Sequence, residues 1–582
     1  MTNSTPTNAA PRRLTPVVIV GLITVVLVVL ALLNRGTHRE PGLSEDQARY
    51  LQDVEHLGGF VFGDRCLPRV SAALRDENLD ELMTFLSAGF NGGRIFDKDH
   101  PESVHAHGQV TSTRRHHEDN GIGKANCNGK EFIEWLLEQR RGFESLDSIG
   151  AKVKRMQPIS SGSLDGPWRG SLLITMRGQT ANDHIRETRI ELACQLEGIS
   201  DESPTQDGWF RQLSVKQVDV VDSATTLMEE MTASTGINVT RLQDNWLGTS
   251  GPQIPVLTGG VYLADFDGDQ HVDCLLTDIK GMALYRGLGN GRFEDVTEAV
   301  GLPQAFLDLP AAWGDFDNDG DPDLVLGRRF YRNDHSDQRR FTRLPSADTN
   351  LDLEEAVGYA VADIDLDGRL DLYVVGITKL SSGQKWIGNN DTNRNQMWQN
   401  NGDLRFTDVT NTSGTAGRGT STFAAVFFDA NNDGHPDLMT ACEFGRNDFW
   451  LGQGDGSFVP AKLPEIYGGF SMGLTVGDID NDGFADPYLA NMYSKAGERV
   501  VANLPRNVYD AEVDSQLRDF VAGSDLYHNN GGTGFKRIGR SAGVADVGWA
   551  YGPAYVDLDN DGQLDLYAPC GFQSITRDRP DG

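Results

Sequence analysis

Three rhythms of apolar and polar residues follow one another along this chain. The first is a mostly apolar run unbroken by charge, Val17 to Leu33, inside "PVVIVGLITVVLVVLALL". Such a run sits at the short limit for a bilayer-crossing helix and is longer than a usual secretory signal core. No small-residue cleavage site follows it, only "NRGTHRE", and no cysteine ends it for lipidation. It is expected to be an uncleaved signal anchor, with residues 1–16 a cytoplasmic tail and everything beyond residue 33 extracytoplasmic. Arg12 and Arg13 on one side are matched by Arg35 and Arg39 on the other. Local charge therefore leaves orientation to the short tail and to the chemistry below.

The second rhythm occupies residues 34–224. "SAALRDENLDELMTFLSAGF" and "KEFIEWLLEQRRGF" space their apolar residues as helices do, and then "WRGSLLITMRGQ", "IRETRIELACQLEG" and "WFRQLSVKQVDVV" alternate like long antiparallel strands. Helices followed by strands predict an α+β domain. The order resembles the NTF2-like cone fold, whose curved sheet encloses a pocket. Within it, "DHPESVHAHGQVTSTRRHHED" gathers His100, His105, His107, His116 and His117. His-x-His and paired His are transition-metal spacings; a mobile polar loop is the plain alternative.

The third rhythm, residues 225–582, alternates short strand-like runs with an acidic loop. "DFDNDGDPDLVLG" places five aspartates in nine positions and then turns apolar. The segment recurs as "DFDGDQHVD" from Asp265, "DFDNDGDPD" from Asp315, "DIDLDGRLD" from Asp363, "DANNDGHPD" from Asp429, "DIDNDGFAD" from Asp478 and "DLDNDGQLD" from Asp557. The steps are 50, 48, 66, 49 and 79 residues, a unit near 49 with two insertions. The insertions, around "SSGQKWIGNNDTNRN" and "SKAGERVVANLPRNVYDAEVDSQLRDF", read as surface loops.

Oxygen ligands at positions 1, 3 and 5 of a tight loop converge on one point, and glycine at 6 permits the sharp turn. A hard cation with six to eight oxygen ligands suits calcium. The expected ligands are Asp265, Asp267, Asp269 and Asp273; Asp315, Asp317, Asp319 and Asp323; Asp363, Asp365, Asp367 and Asp371; Asp429, Asn431, Asp433 and Asp437; Asp478, Asp480, Asp482 and Asp486; and Asp557, Asp559, Asp561 and Asp565. That allows up to six Ca²⁺, with the aspartate at position 9 as closing ligand. An EF-hand is excluded, because position 12 is Leu276, Leu326, Val374, Thr440, Leu489 or Ala568 rather than glutamate, and the flanks are strand-like. Two loops depart from the pattern. The first has Gly268 at position 4 and Gln270 at position 6, and the fourth has Asn431 at position 3.

Downstream of the loops come "LYRGLGNGRFEDVTEAVGL", "MWQNNGDLRFTDVTNTSGT", "FWLGQGDGSFVPA" and "LYHNNGGTGFKRIGRSAGV", with "FYRNDHSDQRRFTRL" a looser copy. Each is an aromatic-led strand, a turn and a strand opening on phenylalanine, which is a hairpin. Strand, acidic loop, strand and hairpin make four strands per unit, the content of a propeller blade. The units resemble the FG-GAP/VCBS repeats of the integrin-α-type β-propeller, including "WAYGPAYVDLDNDG" and the F-x-D-V-T strand. The resemblance implies structural calcium in the loops and a propeller face that binds proteins or glycans. The fold class is thus mainly β: a propeller of six or seven four-stranded blades, preceded by a transmembrane helix and a smaller α+β domain. "TTLMEEMTASTGI" (225–237) is expected to supply a missing closing strand.

Composition changes this picture little. A chain of 582 residues exceeds one ordinary core, and 66 glycines fit turn-rich β structure. The net charge of −32 argues against nucleic acid, and much of it sits in the loops. Cys66, Cys127, Cys194, Cys274, Cys442 and Cys570 form no C-x-x-C spacing, which speaks against zinc; disulfide pairing is left open. No G-x-S-x-G, H-E-x-x-H or P-loop occurs, so no catalytic residue is assigned. The leading expectation is a membrane-anchored, extracytoplasmic recognition or adhesion module with a protein or glycan ligand. A polysaccharide-active enzyme using the propeller as platform or catalytic domain is the alternative, and small-molecule binding by the α+β domain is a third reading.

Overall fold

The computed structural model describes residues 43–570, apart from 97–100, 120–121, 161, 242–258, 279, 304–308, 335–339, 354–355, 377–394, 418–420, 444–445, 462–470, 492, 494, 506–507, 510 and 549. The expected tail and apolar run lie outside the described residues. Among the described residues no helix is long and apolar enough to cross a membrane. The chain forms two compact units. One takes the residues up to Thr225 together with Lys495–Asp514, and the other takes Thr226–Ser494 and the residues from Ser515 onward.

In the first unit, a helix at Glu45–Glu55 opens on a capping box: Ser44 accepts from the Gln47 amide, and Gln47 accepts from the Ser44 amide. The chain continues through a π-helix at His56–Cys66 into a helix at Leu67–Arg75. A second capping box, Asn128 with Glu131, starts the helix Gly129–Arg141, whose Phe132, Ile133, Leu136 and Leu137 are buried. The strands are β1 (Gly93–Arg94), β2 (Ser103–His107), β3 (Val110–His116), β4 (Ser145–Pro158), β5 (Trp168–Gln179), β6 (Ile185–Leu196) and β7 (Phe210–Ser223). They form one sheet in the order β2-β3-β7-β6-β5-β4, with β1 pairing in parallel to β7. The helices and the sheet share one apolar core, in which a cavity of about 20 Å³ is lined by Leu67, Val70, Leu82, Phe85, Ala151 and Phe210 among others.

The second insertion is not the surface loop expected. It carries helices at Lys495–Ala502 and Ala511–Phe520, and residues 495–514 belong to the first unit. Arg499 forks onto the Glu55 carboxylate and donates to the Val153 carbonyl at 3.2 Å, while Asn503 donates to the Met156 carbonyl at 3.1 Å. A Cβ at Gly59 would stand 2.4 Å from the Glu55 carboxylate, so glycine is what admits this pair. The first insertion lies largely outside the described residues.

The second unit is a β-propeller. Its blades run Val261–Ala264, Asp273–Asp278, Gly281–Gly287 and Phe293–Asp295; then Ala311–Gly314, Asp323–Leu326, Arg329–Asp334 and Arg340–Leu344; then Ala356–Ala362, Asp371–Gly376, Gln396–Asn400 and Phe406–Asp408. Blade 4 is Thr422–Phe428, Asp437–Cys442, Phe449–Gly452 and Phe458–Pro460, and blade 5 is Ser471–Gly477, Asp486–Asn491, Asp525–Asn529 and Phe535–Arg537. The hairpins read from the sequence are the third and fourth strands throughout.

Among the described residues five blades are complete, not six or seven. The sixth loop joins only a two-stranded sheet, Ala554–Val556 with Asp565–Tyr567. Nor does 225–237 close it: that stretch holds a short helix, Thr232–Thr235, and Ile237 packs against Cys274, Ala283 and Tyr285 of blade 1. First strands of successive blades neighbour one another, and apolar clusters fill the space between blade faces.

Candidate metal centres

Each acidic loop joins the first and second strands of its sheet and is knotted by its own carboxylates. At position 1, Asp315 accepts from the amides of Asp319 (3.0 Å) and Gly320 (2.9 Å), and Asp265, Asp363, Asp429, Asp478 and Asp557 do the same in their loops. At position 5, Asp269, Asp319, Asp367, Asp433, Asp482 and Asp561 each accept from the amide at position 7. Positions 4 and 6 are left-handed in all six. Gln270 takes φ +69° where the other loops have glycine, and Gly268 takes +70° where they have Asn or Leu366. The first loop thus exchanges its residues at these places and keeps the turn.

Position 9 is the point at which the sequence reading was incomplete. Asp273, Asp323, Asp371, Asp437 and Asp486 are buried, with exposures of 0–1%. In each, Oδ2 accepts from the position-2 amide of its own loop, while Oδ1 accepts from a third-strand amide: Gly287 (2.7 Å), Asn333 (2.9 Å), Asn400 (2.7 Å), Gly452 (2.8 Å) and Asn529 (2.6 Å). These carboxylates tie the loop to the blade whether or not they also close a metal shell. Asp565, in the two-stranded sheet, accepts from the Leu558 amide alone among the described residues. Burial pushes Asp323 up to about 8, Asp371 to about 7, and Asp273 and Asp437 to about 6, with neighbouring carboxylates adding to the rise.

Position 3 is different. The Oδ1 atoms of Asp267, Asp317 and Asp365 are buried and have no hydrogen-bond partner. Burial first, and then the carboxylates at positions 5 and 1, raise Asp267 and Asp317. Arg286 and Arg332 offset part of that repulsion, but a buried oxygen with no hydrogen-bond partner beside like charges still asks for a cation. Carboxylate oxygens of Asp265, Asp267 and Asp269, of Asp315, Asp317 and Asp319, and of Asp363, Asp365 and Asp371 lie within 4.8 Å of one another. These hard-oxygen sets fit a calcium-sized ion.

Asparagines that the sequence showed only as turn residues clasp neighbouring blades. Asn333 and Asn400 donate across to the carbonyls of Phe266 and Phe316, and Asn529 to that of Ala430, each at 2.8 Å. At position 4, Asn318, Asn432 and Asn481 donate to the carbonyls of Gly368, Gly483 and Gly562 in the next loop. The signal was present as an asparagine recurring two residues after an aromatic in "FYRN", "MWQN" and "LYHN".

The histidines of 100–117 divide. His100 lies outside the described residues. His105 and His107 share a face of exposed β2, and His117 turns to Arg94 (3.0 Å) and the Phe96 ring. The expected loop is a hairpin. The six cysteines are all free thiols.

Four-stranded blades in sequence order, each carrying its acidic loop at the same end, define a repeat-built β-propeller. The FG-GAP-like repeat family matches at residues 265–326, 386–440 and 429–488, so the second unit carries FG-GAP-like repeats on a β-propeller. No curated protein matches it in sequence. Among solved structures it is similar to an Agrocybe aegerita lectin that recognises non-reducing terminal N-acetylglucosamine, at 13% identity over 73% of this chain and 86% of that one, TM-score 0.31. It is also similar to the V. cholerae biofilm matrix protein Bap1, at 14% over 48% and 38%, TM-score 0.27, and to AofleA of Arthrobotrys oligospora, at 10% over 55% and 76%, TM-score 0.27. None is close enough to transfer a ligand.

Proposed function

We propose that this chain is a calcium-stabilised recognition module, held at a membrane by Val17–Leu33, with its bulk extracytoplasmic and a protein or glycan as ligand. The observation that carries the calcium reading is the trio of unpartnered buried oxygens on Asp267, Asp317 and Asp365. Calcium would supply the charge these oxygens lack and stiffen a rim from which other loops recognise a partner. Extracellular modules bind calcium at roughly 10⁻⁴–10⁻³ M, which supports an extracytoplasmic address. The test is a melting curve of residues 40–582 in millimolar calcium and in EGTA, with bound calcium counted, followed by a glycan array on the loaded protein. A calcium-dependent shift with several ions bound and glycan capture without turnover is expected. No shift and no bound calcium would overturn the reading.

A further inference from the structure

On the third strand of every blade one residue stands just before the amide that holds the position-9 carboxylate. In order these residues are Arg286, Arg332, Gln399, Leu451 and His528. Five loops with one backbone framework thus carry four different residue types at this place. Arg286 and Arg332 bring positive charge beside Asp267 and Asp317. Gln399 donates to Asp365 at 2.5 Å. Leu451 brings no ligand atom to blade 4, where the position-7 His435 sets its Nδ1 3.5 Å from Asp433 alone. His528 sets its Nδ1 3.5 Å from both Asp480 and Asp486, and ligand atoms of Asp480, Asp482 and His528 lie within 4.8 Å of one another.

We propose that His528 makes the fifth loop a mixed nitrogen–oxygen site for a divalent transition metal of the zinc and cobalt class, while the all-oxygen loops keep calcium. The inference rests on reading the loops as cation sites. Imidazole suits zinc and cobalt, and a site with one imidazole and two carboxylates favours them over calcium. Arg286 and Arg332 at the same place are paired with Glu294 and Asp334, so they weaken calcium at the first two loops without excluding it, and this position sets preference.

The test titrates the full chain with Co²⁺ in millimolar Ca²⁺, following visible absorption and counting both metals in the same samples. One cobalt equivalent is expected, displaced by Zn²⁺. His528→Gln installs the residue blade 3 carries at that place and removes the nitrogen ligand; it should weaken cobalt binding at least about tenfold. Gln399→His should add a second equivalent. His435→Ala, altering a histidine at position 7 of the fourth loop, should change nothing. Cobalt bound equally well by His528→Gln, or calcium bound with no cobalt, overturns this inference and leaves the calcium sites standing. Neither metal bound overturns both.

Discussion

Two aspartates of one loop, Asp317 and Asp323, should respond to the same substitution in opposite ways. Asp323 is fully buried, and its two oxygens accept from the amides of Phe316 (3.1 Å) and Asn333 (2.9 Å). Asp323→Asn keeps the shape but turns one acceptor into a donor facing a backbone N–H. Above about pH 8, where the Asp323 carboxyl is ionised without metal, a hydrogen bond to it contributes about 1.5–3 kcal/mol, and a buried donor left unmet costs a similar amount, so the comparison is made at about pH 9. The variant should lose about 2–4 kcal/mol with or without calcium. Asp317 offers Oδ1 to no donor and is repelled by Asp319 and Asp315. Asp317→Asn should therefore stay within about 0.5 kcal/mol of wild type in EGTA, or above it, and lose only part of the calcium-induced gain. Urea unfolding of both variants in calcium and in EGTA separates the roles. Equal losses in EGTA, or an Asp323→Asn that only loses calcium response, would refute the division between a structural position 9 and a cation-facing position 3.

The raised carboxyls predict a pH dependence. Without metal, Asp273, Asp323, Asp371 and Asp437 have folded values of about 6–8, above the usual 3.8. Their contribution is whole below about pH 4 and is lost as pH rises through 6 to 8, so melting in EGTA should fall over that window and calcium should restore it. In the first unit, Arg499→Ala strands Glu55 and should cost about 2–3 kcal/mol, most of it recovered in Arg499→Ala/Glu55→Ala, by calorimetry. Ala151→Val, on β4 beside the apolar cavity, should raise the same transition by up to about 1 kcal/mol. Leu366, left-handed at φ +59° where other loops place asparagine, is a strained choice. Leu366→Asn should stabilise the propeller by about 1 kcal/mol, read from its melting temperature.

What could be read from the sequence was whatever repeats. Six loops in one register and their hairpins announced blades, because period-2 strands and Asp-Gly turns are local signals. The sequence showed that Asp323 belonged to the loop, but not that its oxygens were bound by amides from another strand. A carboxylate reads the same whether it faces an ion or a backbone N–H. Residues 495–514 were read as a loop because their partners, Glu55 and Val153, lie more than 300 positions away in the chain. The blade count failed because a loop motif marks where a blade begins and carries no record of the strands that complete it.

Blades 3 and 4 meet without the asparagine clasps that join the others. Gly452 stands where an asparagine would reach back, and Leu366 stands where one would reach forward. Among the described residues the amide of Gly456 on the Ile364 carbonyl, at 3.2 Å, takes their place on that rim. Away from that rim the seam between blades 3 and 4 is held by the Asn395 side chain, which donates to Thr422 at 3.0 Å, and by apolar packing such as Tyr373 and Met397 against Leu438 and Trp450. On the rim that carries the acidic loops, loss of calcium should therefore loosen this seam before the clasped ones beside it.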